Sequence, residues 1–187
     1  MEWILSLMLG LGLAAAVGFR IFVPFLLVSL AAHTGHLQLA EGFGWIGTTP
    51  ALVMFGAATF LEIAAYAIPW LDNLLDVVAG PLAVICGAVL MASTVFELDP
   101  FIKWPLVIIA GGGTAGVLKA ANAGLRLTSS ATTAGLGNPA VTVVETSSAA
   151  VMASLAIFLP VVAFLLLLWL LIYSVRRLLR IRTRAMD

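Results

Sequence analysis

The sequence predicts an all-α polytopic membrane protein, and three observations carry that prediction. Of the 187 residues, 63% are hydrophobic and only 10% are charged, whereas an average soluble domain carries about 25% charged residues. The mean hydropathy is +1.16, which leaves too little polar surface to cover a globule in water. The apolar residues fall in continuous runs rather than alternating, which disfavours a membrane β-barrel. A helix satisfies its own backbone groups, as lipid demands, and about 20 apolar residues carry it across.

The first run covers residues 3–32 and is too long for one plain span. Gly18-Phe19-Arg20 and Pro24 interrupt it, so it reads as a helix that breaks or is followed by a second, tilted one. Its start, MEWILSLMLGLGLAAAVG, has the length of a signal peptide. Its leading segment holds Glu2 and no basic residue, so it is read as a retained span. Residues 33–49 form a loop at a membrane face, with Trp45 suited to the interface. The second run, Pro50–Ile68, is bounded by prolines and contains Glu62. Trp70–Asp76 places apolar groups on one face and Asp72 and Asp76 on the other, the pattern of a short interfacial helix. The third run covers 77–96, and Glu97–Pro105 reads as a surface turn. The fourth opens through Gly111-Gly112-Gly113 and covers 106–125. The fifth runs from about Val141 to Tyr173, is broken by Pro160, and is polar in its first third and lipid-facing in its last. Five to six transmembrane helices result, with broken or re-entrant segments near Arg20 and in 126–148. They form a single transmembrane domain over 1–175, and no soluble domain fits between the runs.

Charge placement gives an orientation. Of the nine basic residues, Arg176, Arg177, Arg180, Arg182 and Arg184 lie in the last twelve positions. Basic flanks remain cytoplasmic, so 176–187 reads as a basic cytoplasmic tail rather than a nucleic-acid-binding one. The lone Cys86 excludes an internal disulfide and a CxxC centre. His33 and His36 have no clear third ligand, although Glu41 lies near in sequence; they read as a surface pair. No nucleophile–base arrangement is visible and no cofactor or metal is implied. The glycine-rich loop lacks the Lys-Ser/Thr of a phosphate-binding loop, so the chain does not read as an enzyme.

Two segments resemble each other. GLGLAAAVGFR at 10–20 aligns with GVLKAANAGLR at 116–126, pairing Gly18 with Gly124 and Arg20 with Arg126. Each is followed by Pro-Ala (Pro50-Ala51, Pro139-Ala140), a glutamate (Glu62, Glu145) and a closing proline (Pro69, Pro160). These are repeat-like halves over about 3–69 and 106–173. Taken as an inverted repeat, with broken helices meeting near the bilayer midplane, they have the organisation of many secondary transporters.

Ionisable groups inside spans cost about 2.5–3.5 kcal/mol each on the insertion scale. Arg20, Glu62, Lys119, Arg126 and Glu145 are such groups here, three positive and two negative. Arginine and glutamate are expected to pair within each repeat. A planar guanidinium suits a carboxylate or phosphate, so Arg20 and Arg126 are candidate anion ligands, with Glu62 and Glu145 as counter-charges or proton carriers; Lys119 either joins them or snorkels to the interface. Asn122, Thr128, Ser129, Ser130, Thr132, Thr133 and Asn138 are candidate polar lining, within a stretch that also holds Thr142 and Thr146. Those hydroxyls satisfy a broken helix or line a wet path. The stretch Thr128–Pro139, with Gly18-Phe19-Arg20, Pro24 and Glu62, resembles a family of bacterial inner-membrane proteins catalogued as domain of unknown function 4126. The resemblance covers residues 3–173 and implies a small multi-pass protein of the bacterial inner membrane, with no activity or ligand to carry over.

The functional expectation is a transporter or permease for a small or amphipathic anion, a free solute or a lipid headgroup. It would work as a homodimer surrounded by membrane lipids. A hydroxyl-lined channel and an assembly protein with purely internal ion pairs are the alternatives.

Overall fold

The computed structural model describes residues 2–65, 69–96, 98–133 and 137–184, with the backbone alone for 69–77 and 174–184. Every regular element among them is helical: α1 (Glu2–Phe19), α2 (Phe22–His33), a 3₁₀ turn (Gly44–Gly47), α3 (Thr49–Ala65), α4 (Pro69–Thr94), α5 (Pro100–Leu106), a π-helical segment (Val107–Gly112), α6 (Gly113–Thr133), α7 (Asn138–Phe158) and α8 (Pro160–Arg184). Three pieces are long and apolar enough to cross a bilayer: α1, the continuous rod Pro100–Thr133, and α7. Among the described residues the protein is all-helical, with three helices suited to span a membrane.

Local chemistry sets the boundaries. α1 stops at Phe19, and Pro24 falls in the first turn of α2, where its missing N–H has no intrahelical partner to lose. Prolines likewise open α4, α5 and α8, and Pro139 sits in the first turn of α7. Asp99 caps α5, its carboxylate accepting from Phe101 N at 2.8 Å. The surface turn expected at 97–105 is therefore largely helix. The separate interfacial helix expected at Trp70–Asp76 is instead the beginning of α4, which continues through Pro81. Gly111 and Gly112 lie in the π-helical segment joining α5 to α6.

Contacts fix how the rods run. Trp3 and Lys103 line one cleft, and a methyl group placed on Gly18 would stand 2.6 Å from Leu118 Cβ. α1 and the α5–α6 rod therefore run in the same direction. α2 returns antiparallel to α1: the loop after it brings Gln38, Ala40 and Glu41 back to the cleft that holds Glu2 and Trp3. α7 is also antiparallel to α1, with Glu145 beside Arg20 and Ala156 beside Gly12. This geometry corrects the inverted repeat. The two aligned segments, 10–20 in α1 and 116–126 in α6, point the same way. The reversal at Arg20 makes α2 a pass of its own, so three helices (α2, α3, α4) intervene, and an odd number leaves both copies parallel.

The break near Arg20 is present. The second expected break is narrower than 126–148, because α6 is unbroken through Thr133 and α7 begins at Asn138. Residues 134–136 lie outside those described.

α1 is the centre of the bundle. Leu13, Ala14, Ala15, Ala16 and Val17 have no exposed surface, and α2, α4, α6, α7 and α8 all pack against this helix. Its small residues allow that approach: a Cβ on Gly12 would meet Ala156 at 2.8 Å and Ala163 at 3.2 Å. In lipid, helix association rests on such close van der Waals packing rather than on exclusion of water.

Candidate functional site

The chain reversal at Arg20 brings the charged groups together. Arg20 lies between α1 and α2 and is 1% exposed; Arg126 on α6 is 3% exposed. Both reach Glu145 on α7. Arg126 donates from Nε to Oε1 at 3.0 Å and Oε2 at 3.2 Å, and from Nη2 to Oε2 at 2.7 Å. Arg20 Nη2 stands 3.3 Å from the same Oε2. The Arg126 Nη2 group also donates to Thr142 Oγ1 at 3.0 Å. Two guanidinium groups from distant parts of the sequence thus share one buried carboxylate.

The expected pairing within each repeat is therefore only half right. Arg126 pairs with Glu145, but Glu62 takes another task. Its carboxylate accepts from Ile21 N and Phe22 N, both at 3.0 Å, through separate oxygens. These amides open α2, where backbone donors lack intrahelical acceptors and a negative charge is favoured by the helix dipole. Replacing Glu62 by alanine is expected to lower stability by about 1–2 kcal/mol, as loss of a helix N-cap does. Glutamine, which keeps one carbonyl acceptor, should restore part of it. Thermal unfolding in detergent measures both.

α6 presents Lys119, Asn122 and Arg126 on one buried face, as spacings of three and four residues dictate. Asn122 Nδ2 donates to Gly18 O at 3.1 Å, just before the break. Lys119 is buried rather than snorkelling to a surface.

The hydroxyl-rich stretch contributes less than its sequence suggests. Thr128, Ser130, Thr132 and Thr133 are exposed and Ser129 is half-buried. Thr128, Thr132 and Thr133 donate back to carbonyls of their own helix at Gly124, Thr128 and Ser129. Ser130 and Asn138 bond to each other across the α6–α7 turn. The Ser130–Asn138 pair ties α6 to α7 on either side of residues 134–136. Thr142 is the hydroxyl that reaches the charged site, and its position three residues before Glu145 on the same helix face is the signal for it.

Beside the knot, α6, α7 and Phe19 of α1 bound an open groove of about 370 Å³. Leu125, Val141 and Val144 make its walls apolar, while Asn122, Glu145 and Ser148 supply its polar edge. At the other end of the bundle His33 Nδ1 lies 3.0 Å from Gly47 O and His36 Nδ1 3.0 Å from Thr34 Oγ1. His33 closes α2 and His36 lies in the loop after it, both exposed and away from the knot.

A family model described as a domain of unknown function (DUF4126) matches residues 7–177. The chain belongs to that family. The match takes in α2 to α7 whole, most of α1, and α8 as far as Arg177, so the entire charged knot lies inside the family domain. No curated protein and no solved structure matches the chain.

Proposed function

We propose that this DUF4126 protein is a small permease of the bacterial inner membrane that binds an amphipathic anion at the Arg20–Glu145–Arg126 knot. The observation that carries the reading is the convergence of Arg20 and Arg126 on one Glu145 oxygen, at 3.3 and 2.7 Å. Two planar guanidinium groups meet there, and such groups suit a carboxylate or phosphate. The apolar groove alongside suits the hydrocarbon part of such a ligand.

The site's depth in this reading differs from the midplane. With Trp3 at one interface, Arg20 lies about 26 Å further along α1 at ~1.5 Å per residue. That depth is near the far boundary of a hydrocarbon core about 30 Å thick. An anion would reach the knot from that side, where water and headgroups lie. The C-terminal tail is cytoplasmic, by its arginines. The protein acts as a homodimer, since one small bundle has few helices with which to enclose a pathway.

A purely architectural knot is the competing reading, and one observation favours it: Arg126 is already satisfied by Glu145 and Thr142. Uptake of radiolabelled octyl phosphate into proteoliposomes separates the two. Arg20→Gln and Arg126→Gln should each lower the initial rate about tenfold or more, the effect of losing a charge-assisted hydrogen bond. Assembly, judged by size-exclusion profile, should persist. Full rates in both variants would assign the knot to packing alone, and wild-type uptake no faster than through protein-free vesicles would remove the transport reading. Discrete single-channel currents would replace the permease with a channel.

A further inference from the structure

The opposite end of α1 carries a second hollow, independent of the knot. Glu2, Trp3 and Ser6 of α1, Gln38 and Glu41 of the loop after α2, and Lys103 of α5 face an open cleft of about 550 Å³. That is within the ~300–1,000 Å³ range of small-molecule sites. The cleft is built by three separate segments held in register. Ala40 N donates to Ser93 O at 2.7 Å, tying the loop to α4. The Lys103 ammonium stands 5.8 Å from the centroid of the Phe43 ring on that same loop, a cation–π distance. The Ser6 hydroxyl is committed to Trp3 O at 2.8 Å, so among the described residues the groups that define the cleft's chemistry are the two carboxylates, the ammonium and the Gln38 amide.

Its level in the membrane is marked by aromatic residues. Trp3, Trp45 and Trp104 are each about half exposed at this end, and tryptophan gathers where the headgroups lie. Carboxylates alone would suit a simple cation and a lysine alone a simple anion. Both signs in one hollow at headgroup level suit a ligand that carries both.

We infer that this cleft binds a phosphoethanolamine group, with the primary ammonium on Glu2 and Glu41 and the phosphate on Lys103. A primary ammonium offers three N–H donors to the two carboxylates. A trimethylammonium offers none, so the cleft discriminates ethanolamine from choline. The group has two sources, the headgroup of a phospholipid in the adjoining leaflet or a free phosphoethanolamine solute.

The test uses the full chain purified in detergent and native mass spectrometry with dioleoyl phosphatidylethanolamine and dioleoyl phosphatidylcholine as probes. The wild type should retain the ethanolamine lipid about tenfold better, as expected when charge-assisted hydrogen bonds distinguish two ligands. Glu41→Gln and Lys103→Met should each reduce its retention toward the choline level. Competition by soluble O-phosphoethanolamine would identify the free group as sufficient, and retained lipid in its presence would identify the intact phospholipid as the ligand. Equal retention of the two lipids by the wild type, or ethanolamine-lipid retention unmoved in both variants, would overturn the assignment. None of these readouts depends on the Arg20–Glu145–Arg126 knot, so failure here and failure of the permease reading are separate results.

Discussion

Replacing Glu145 by glutamine is expected to lower the unfolding free energy by about 3–5 kcal/mol, the range for removing one partner of a buried charge pair. The carboxylate is 5% exposed and takes contacts from both Arg20 and Arg126. A neutral amide at the same position keeps the shape and offers one carbonyl acceptor, but it no longer offsets two buried guanidinium charges. The loss should show as a lower denaturation midpoint in detergent and as a smaller yield of monodisperse protein. Adding Arg126→Gln to the Glu145→Gln variant should recover part of the loss, because one buried positive charge is gone. A Glu145→Gln protein as stable as wild type would mean that Glu145 does not carry the charge balance of the knot.

Gly18 and Gly124 occupy equivalent positions in the two aligned segments, yet alanine should have opposite effects on them. At Gly18 an added Cβ would stand 2.6 Å from Leu118 Cβ and 2.9 Å from Ala115 O. The oxygen belongs to the backbone of α6, so relief requires the two helices to separate. Overpacking of this kind costs about 1–3 kcal/mol. Asn122 would lose its alignment with Gly18 O as α6 moved. At Gly124 an added Cβ meets nothing within 4 Å, and alanine there should gain about 0.5–1 kcal/mol from helix propensity alone. Thermal midpoints of the two single variants, measured side by side, test the difference. Equal shifts at both positions would mean that the two helices have equivalent surroundings after all.

That divergence bears on how much the sequence discloses. The membrane class, the helical runs and the five ionisable residues that matter follow from composition and placement, because a charge among apolar residues is expensive and therefore conspicuous. Arg126 with Glu145 is legible as well, through their nearness across one hairpin. The partner of Arg20 is not. The same order of motifs after Arg20 and Arg126 suggests equivalent pairing, but α2 reverses at Arg20 and presents its amides to Glu62, and Arg20 meets a carboxylate from the other half. Turning angle is a property of the backbone at Arg20 and Ile21, and hydropathy does not encode it. The same blindness hid the parallel course of α1 and α6. The hydroxyls of 128–133 are ambiguous in sequence for another reason: a serine or threonine in a helix can bond to the carbonyl one turn back, as Thr128, Thr132 and Thr133 do, so a row of them need not face a shared hollow.

The central position of α1 sets the order of assembly in the cell. It leaves the ribosome before α4, α6, α7 and α8, whose surfaces enclose it, and Arg20 meets a carboxylate made much later in synthesis. At about 5–20 residues per second, several seconds pass before those partners exist. During that interval the first helix must be retained by the insertion machinery or by lipid contacts it later surrenders. Nascent chains arrested before α7 should therefore be preferred substrates for membrane quality-control proteases, while full-length chains escape them.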